Sequence, residues 1–221
     1  MSSINHFYTF EYSQPSEYRL SHDSVFLARE TFEKMRGQNL SATRGLDICA
    51  GSGIIGMDFL FHRRHAGENY PSKFDFLDIQ NVYLPHFEKN KQKLNLENCD
   101  TQFLNRNYND LQLPEFADQY DIILSGPPYF LTWQGKLSPS EFKNRCRFFI
   151  DSDLKNFFLG IANCLKPNGQ AYILLRDLPE HKWDVIAEAR EICANCPRPL
   201  ALEIIGDIRG THFVRLTRQI N

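Results

Sequence analysis

Charge of one sign, long apolar runs and dense cysteine are all missing from this chain of 221 residues. With 25 Lys plus Arg against 27 Asp plus Glu, its net charge is -2, which excludes the strongly basic composition that marks a nucleic-acid binder outright. Only local basic patches stay open. No run of about 18 apolar residues occurs, so no membrane span is predicted. The first twenty residues scatter Glu11, Glu17 and Arg19 among aromatics without an apolar stretch, which predicts no leader or anchor and a cytoplasmic chain. The six cysteines are too sparse for a disulfide scaffold and read as reduced thiols. Cys193 and Cys196 form one CxxC, but no second pair stands at zinc-ribbon spacing and the HxxH of His62 and His65 is remote, so no metal site is expected.

What is present is an ordinary globular composition, 42% hydrophobic, enough for one large core. Residues 1–36 read as an N-terminal β-rich extension, its first 23 residues rich in Phe and Tyr, with a helix from Ser24 to Met35. Residues 37–221 read as the main domain. From Arg44 onward short apolar runs alternate with amphipathic stretches, the pattern of a parallel sheet with helices on both faces. Strands are predicted at Gly45 to Cys49, Lys73 to Leu77, Thr101 to Leu104, Tyr120 to Leu124 and Ala171 to Leu175. Helices are predicted at Ile54 to His65, Val82 to Leu94, Leu154 to Leu165 and Trp183 to Cys193. Ala201 to Ile205 and His212 to Thr217, joined by a Gly206 to Gly210 turn, predict a closing hairpin.

The first strand runs into Asp47-Ile48-Cys49-Ala50-Gly51-Ser52-Gly53-Ile54-Ile55-Gly56. Glycines at a strand-to-helix turn let the backbone approach a ligand closely. Gly51, Gly53 and Gly56 satisfy GxGxxG, so a dinucleotide site with Asp75 or Asp78 on the ribose is one reading. Asp47 speaks for another: a buried carboxylate is poor company for a pyrophosphate and suits a cationic ligand. S-adenosylmethionine carries both a sulfonium and an ammonium group, and Asp78 at the second strand end is placed to accept from its ribose hydroxyls. A fourth strand then leads into Ser125-Gly126-Pro127-Pro128-Tyr129-Phe130. Two prolines fix φ and remove two amide donors, freeing carbonyls for a ligand, and Tyr129 offers a face for stacking a planar group.

With these residues the chain resembles the class I S-adenosylmethionine-dependent methyltransferases over about residues 44 to 221. That resemblance implies a Rossmann-like α/β fold: a mostly parallel seven-stranded sheet, a C-terminal antiparallel hairpin, helices on both faces. It implies cofactor contacts at Asp23, Asp47, Ala50, Gly51, Gly53, Asp78, Ile79, Asn107 and Ser125, with Asn107 facing the adenine. The turn resembles the Asn-Pro-Pro-Tyr motif of enzymes that methylate exocyclic or amide nitrogens, which implies catalysis at Gly126, Pro127, Pro128 and Tyr129. Phe7-Tyr8-Thr9-Phe10, His22-Asp23 before Val25-Phe26-Leu27-Ala28, Asp78-Ile79-Gln80 and Gly126 to Phe130 extend the likeness to the bacterial valine-tRNA adenine-N6 methyltransferases. Leu137-Ser138-Pro139 and Arg147 fit as well.

One departure stands at the centre: Gly126 replaces the family Asn, removing half of the clamp on the amino hydrogens. Loss of one such group costs on the order of 10²- to 10³-fold in rate. The expectations are therefore adenine N6 of tRNA first, with guanine N2 of rRNA, a protein glutamine, or a catalytically weak RNA-binding relative as alternatives.

Downstream, Trp133 to Ile150 sets Lys136, Lys143, Arg145 and Arg147 against Glu141, among Phe142, Phe148 and Phe149. Cations beside aromatics suit a splayed RNA strand, so Phe130, Trp133, Lys143, Arg145 and Arg147 are the predicted substrate contacts. Arg209, Arg215 and Arg218 of the hairpin and His62-Arg63-Arg64-His65 read as further basic clusters. The chain is expected to act as a monomer.

Overall fold

The computed structural model describes residues 9–19 and 21–218. The main sheet comprises β1 (Arg44–Ile48), β2 (Lys73–Asp78), β3 (Asp100–Asn105), β4 (Tyr120–Ser125), β7 (Leu165–Leu175), β8 (Leu200–Asp207) and β9 (His212–Arg218). The spatial order is β3-β2-β1-β4-β7-β9-β8. The first five run parallel, and β9 is antiparallel to both its neighbours. The seven-stranded mixed sheet with a closing hairpin is as the sequence predicts. A separate two-stranded parallel ribbon, β5 (Phe130–Leu131) with β6 (Phe148–Phe149), was not foreseen.

Alternation along the buried strands puts the helices on both faces. Ile122, Leu124, Tyr172 and Leu174 point to one side, with Phe74 and Phe76, where they meet α1 (His22–Lys34), α2 (Ile54–His65) and α3 (Leu84–Leu94). Ile123, Ala171 and Ile173 point to the other, against α4 (Leu154–Cys164) and α5 (Val185–Asn195). Gly56 of α2 shows how close the helix lies: a Cβ there would stand 2.6 Å from the Phe76 ring and 2.8 Å from that of Phe74.

Several boundaries move for physical reasons. The helix expected from Val82 opens instead as a 3-10 turn, Asn81–Tyr83, before α3 takes Pro85 into its first turn. The helix expected from Trp183 starts two residues later, because the Asp184 side chain caps it by accepting from Ala187 N at 2.8 Å. β7 already pairs with Tyr120 at Leu165 and resumes at Gln170, so Lys166 to Gly169 bulge out rather than precede the strand. The β8–β9 turn is tightest at Arg209 and Gly210, at φ 56° and 79°, the two positive dihedrals that such hairpins require. The β-rich expectation for the N-terminal segment finds no strand among residues 9–19. Its Phe7 and Tyr8 lie outside the described residues.

Candidate active site

The carboxyl ends of β1, β2 and β4 open on a cleft of about 230 Å³, where ligands of parallel α/β sheets bind. Its walls include Ala50, Gly51, Asp78, Ile79, Asn107, the turn Gly126 to Phe130, Arg145 and Arg147. The chain leaves β1 through three left-handed residues, Cys49 (φ 58°), Gly51 (54°) and Gly53 (82°). Glycine removes the steric cost at two of them. The Tyr83 ring lies against Gly51, 3.5 Å from where a Cβ would stand.

Two carboxylates organise this loop. Asp78 accepts from Gly51 N through Oδ2 and from Gln80 N through Oδ1, both at 2.8 Å. Asp47, fully buried one layer below the cleft wall, accepts from Gly56 N at 2.9 Å through Oδ2, while its Oδ1 has no partner. Burial, only partly offset by these amide donors, pushes Asp47 up to about 8 and Asp78 up to about 6. Asp75, the other ribose candidate, is committed elsewhere, to Arg44 and the Tyr120 hydroxyl.

Asn107 lines the cleft with its side chain already engaged: Oδ1 caps Asn109 N at 2.9 Å and Nδ2 donates to Asp151 O at 3.0 Å. A carbonyl oxygen retains a second lone pair for a ligand. Ser125 is buried and donates to Ile48 O at 2.6 Å, tying β4 to β1. Asp47, Gly53, Ser125 and Asp23 stand behind the cleft wall rather than in it; Asp23 pairs with Arg209 at 3.3 Å.

The Pro-Pro-Tyr turn is held from one side. Tyr129 N and Phe130 N both donate to Arg147 O, at 3.2 and 3.0 Å, which leads the chain into the β5–β6 ribbon. Among the described residues no hydrogen bond reaches the carbonyls of Gly126, Pro127 or Pro128. Burial and the Asp23 carboxylate hold the Tyr129 phenol above its ordinary range, so it stays neutral. The Arg147 guanidinium lies 5.5 Å from the ring centres of both Phe130 and Phe148.

Other predicted contacts are differently used. The neighbouring Phe148 and Phe149 are buried and line the cleft floor with Phe130. Arg145 is paired with Glu141 and Asp151 at 3.3 and 3.0 Å, and neither Trp133 nor Lys143 lines the cleft. The His62–His65 cluster is structural: Arg63, wholly buried, donates to the carbonyls of Met35, Gln38 and Asn69 and pairs with Glu68, while Arg64 donates to Leu94 O. The hairpin arginines pair with Asp23, Glu203 and Asp118. Cys193 and Cys196 are buried in the core, and no metal-binding cluster occurs among the described residues.

The sequence did not announce Gln14, Tyr18 or Tyr83 as cleft residues, nor Asn90 as an anchor of the glycine loop. Asn90 is fully buried; it donates to Ser52 O and Ser13 O, each at 3.0 Å, and accepts from Ser13 N at 2.7 Å. It thus fastens the segment before α1 to the glycine loop. An Asn amid helical lysines gives no signal of a contact spanning 77 residues.

No protein-family model and no curated protein sequence matches this chain. Solved structures do match. A ribosomal protein L11 methylase from Lactobacillus delbrueckii subsp. bulgaricus aligns over 91% of this chain and 81% of its own, with TM-score 0.59 and 14% identity. A SAM dependent methyltransferase from Aquifex aeolicus aligns over 91% and 94%, with TM-score 0.58 and 15% identity. TrmN from Thermus thermophilus aligns over 88% and 49%, with TM-score 0.56 and 19% identity. The fold is the Rossmann-like, class I methyltransferase fold.

Proposed function

We propose that the chain is an S-adenosylmethionine-dependent N-methyltransferase whose acceptor is an exocyclic amino nitrogen, adenine N6 of a tRNA. The carrying observation is the turn Gly126 to Tyr129, whose carbonyls take no donor from the described residues and which opens on the same cleft as Asp78 and the glycine loop. The residues fit the cofactor. A fully buried carboxylate with one unpartnered oxygen beneath the loop is costly alone and is relieved by a nearby cation. Asp78 stands at the wall where a ribose would be read.

When bound, the cofactor supplies an electrophilic methyl group on a sulfonium sulfur. The protein's own part is positioning, which alone can remove roughly 7–11 kcal/mol of a bimolecular barrier. Tyr129 stacks on the acceptor ring, and carbonyls of the proline turn accept the amino hydrogens, so the nitrogen lone pair faces the methyl group. The neutral phenol of Tyr129 adds no charge at that point.

Gly126 favours a second reading, either a changed acceptor or no transfer at all. A Cβ there would meet Ile55 Cδ1 at 3.2 Å, so the space that a family-type Asn would use is partly filled by Ile55. A changed acceptor, guanine N2 of rRNA or a protein glutamine, suits that altered corner; so does a relative that binds RNA without transfer. Transfer of labelled methyl from S-adenosylmethionine to an RNA and protein extract, followed by nuclease or protease digestion and product identification, tests the proposal. N6-methyladenosine in the tRNA fraction is the expected product. Label in another product, or none with cofactor binding intact, overturns the adenine assignment.

A further inference from the structure

Many of the chain's cations are committed, while others, among them Lys34, Lys89, Lys155 and Arg190, carry no ion pair among the described residues. The arginines of the hairpin and of α2, and Arg44, Arg106, Arg145 and Arg198, are committed to carboxylates or carbonyls. Arg147 and Arg176 line pockets together with Pro128 and Tyr129, and they, with Lys136, Lys143 and Lys182 on the same segments, carry no ion pair among the described residues. All but Lys143 are exposed. They come from segments that the sheet gathers beside the turn, the stretch through the β5–β6 ribbon and the loop after β7. Arg176 lies close enough to Tyr129 to act on its phenol electrostatically. Two of the loop's acids are turned to other groups: Asp177 serves His212 and the amides of Val185 and Ile186, and Asp184 caps Ala187 N. Glu180 is the one acid left over.

On the ribbon stretch stands Trp133. It is 66% exposed, the most exposed of the chain's large apolar side chains among the described residues, and the 3-10 turn Thr132–Gln134 right after β5 presents it. The edge of His181 meets it at 6.0 Å between ring centres, from the loop that carries Arg176 and Lys182. Exposing an indole costs hydrophobic free energy, and uncompensated cations beside it suit a polyanion with planar groups. An acidic peptide would satisfy the cations and leave the indole bare.

We propose that Trp133 is a stacking platform for a base flanking the target, with Lys136, Arg147, Arg176 and Lys182 on the adjoining phosphates. The acceptor is therefore an unpaired, looped RNA segment, since a base inside a duplex cannot offer its face. This rests on the RNA reading above and names its strand geometry.

The test uses the full chain with three probes: an RNA hairpin bearing one adenine in its loop, a blunt RNA duplex, and polyglutamate. Binding is read from tryptophan fluorescence, independently of methyl transfer; the only other Trp, Trp183, is 9% exposed. The hairpin should quench emission and the other two probes should not. Trp133→Ala should raise KM for the hairpin about tenfold, toward the low end of base-on-aromatic stacking, with kcat and KM for the cofactor unchanged. Trp133→Phe should restore most of the hairpin KM while losing the fluorescence response. A hairpin KM within twofold of wild type in Trp133→Ala, or equal quenching by duplex or polyglutamate, overturns the platform. Hairpin affinity, read by direct titration of labelled RNA, that falls about tenfold in Trp133→Ala and returns in Trp133→Phe, with no methyl ever transferred, sustains the platform and defeats the enzymatic reading instead.

Discussion

Proton release should accompany cofactor binding, and its size follows from the two buried carboxyls. Asp47 has no escape to solvent and one oxygen without a donor, and its pKa stands at about 8 against an ordinary 3.8. At pH 7 roughly nine in ten ligand-free molecules therefore hold a proton on it, whereas Asp78, at about 6, holds one in about a tenth. A cationic ligand favours both ionised forms, so binding expels close to one proton. Affinity for S-adenosylmethionine should climb about tenfold per pH unit, some 1.4 kcal/mol, between about pH 6 and pH 8 and then level off. Calorimetry at pH 7 in buffers of different ionisation enthalpy counts the protons. S-adenosylhomocysteine, which lacks the sulfonium charge but keeps the ammonium, and 5′-methylthioadenosine, which lacks both, separate the contributions. Asp47→Asn should lower the count to the small share of Asp78. Equal counts in wild type and Asp47→Asn, or pH-independent affinity below pH 8, would refute the cationic pairing.

Because the folded-state pKa of Asp47 lies above its unfolded value, its contribution to ligand-free stability is complete below about pH 4 and is lost as pH rises through 8; the melting temperature of the ligand-free chain should fall across that window, and saturating cofactor should restore it. Tyr129→Ala should lower kcat at least 100-fold with cofactor Kd changed less than twofold, and retained transfer would dismiss its stacking role. Gly126→Asn should raise adenine N6 transfer by up to about 100-fold if Ile55 yields the 3.2 Å contact; loss of transfer would mark a pocket reshaped for another acceptor. Gly56→Ala should cost about 1–3 kcal/mol in a urea titration, because its methyl would enter the Phe74 and Phe76 rings.

Legibility in the sequence followed the range of the interaction. β4 is readable from its continuous Ile122-Ile123-Leu124, β1 and β2 from short apolar stretches broken by Asp47 and Asp75 and set before helical segments, and α2 is placed to the residue, Ile54 to His65, by Gly53 before it and the polar tail after it. The Asp47 to Gly56 loop and the Ser125 to Phe130 turn were readable because proline and glycine restrict or free the backbone wherever they stand. The β5–β6 ribbon was not, since two residues per strand carry no periodicity. Its partners Phe130 and Phe148 are joined only because Tyr129 N and Phe130 N find Arg147 O. Asn90 and Tyr83 were invisible for the same reason: each acts on the glycine loop from another element.

Charge shows the limit most sharply. His62-Arg63-Arg64-His65 is the densest basic run in the sequence, yet Arg63 is sealed inside, its guanidinium spent on three carbonyls and Glu68. A guanidinium offers five donors in a fixed fork, which makes it a good clasp for the carbonyls that the end of α1 and the turn after α2 leave unpaired. Removing it would strip the carbonyls of Gln38 and Asn69 of their donor and Glu68 of its ion-pair partner, a loss of about 3–5 kcal/mol for Arg63→Ala that no ligand would recover. The cations beside the turn are scattered over nearly fifty positions, from Lys136 to Lys182, and form no run at all. What gathers them is the parallel sheet, which delivers the loops after β4 and β7 to one end. Free positive charge is thus a property of the folded surface, and part of it stands beside the Pro-Pro-Tyr turn and an exposed indole.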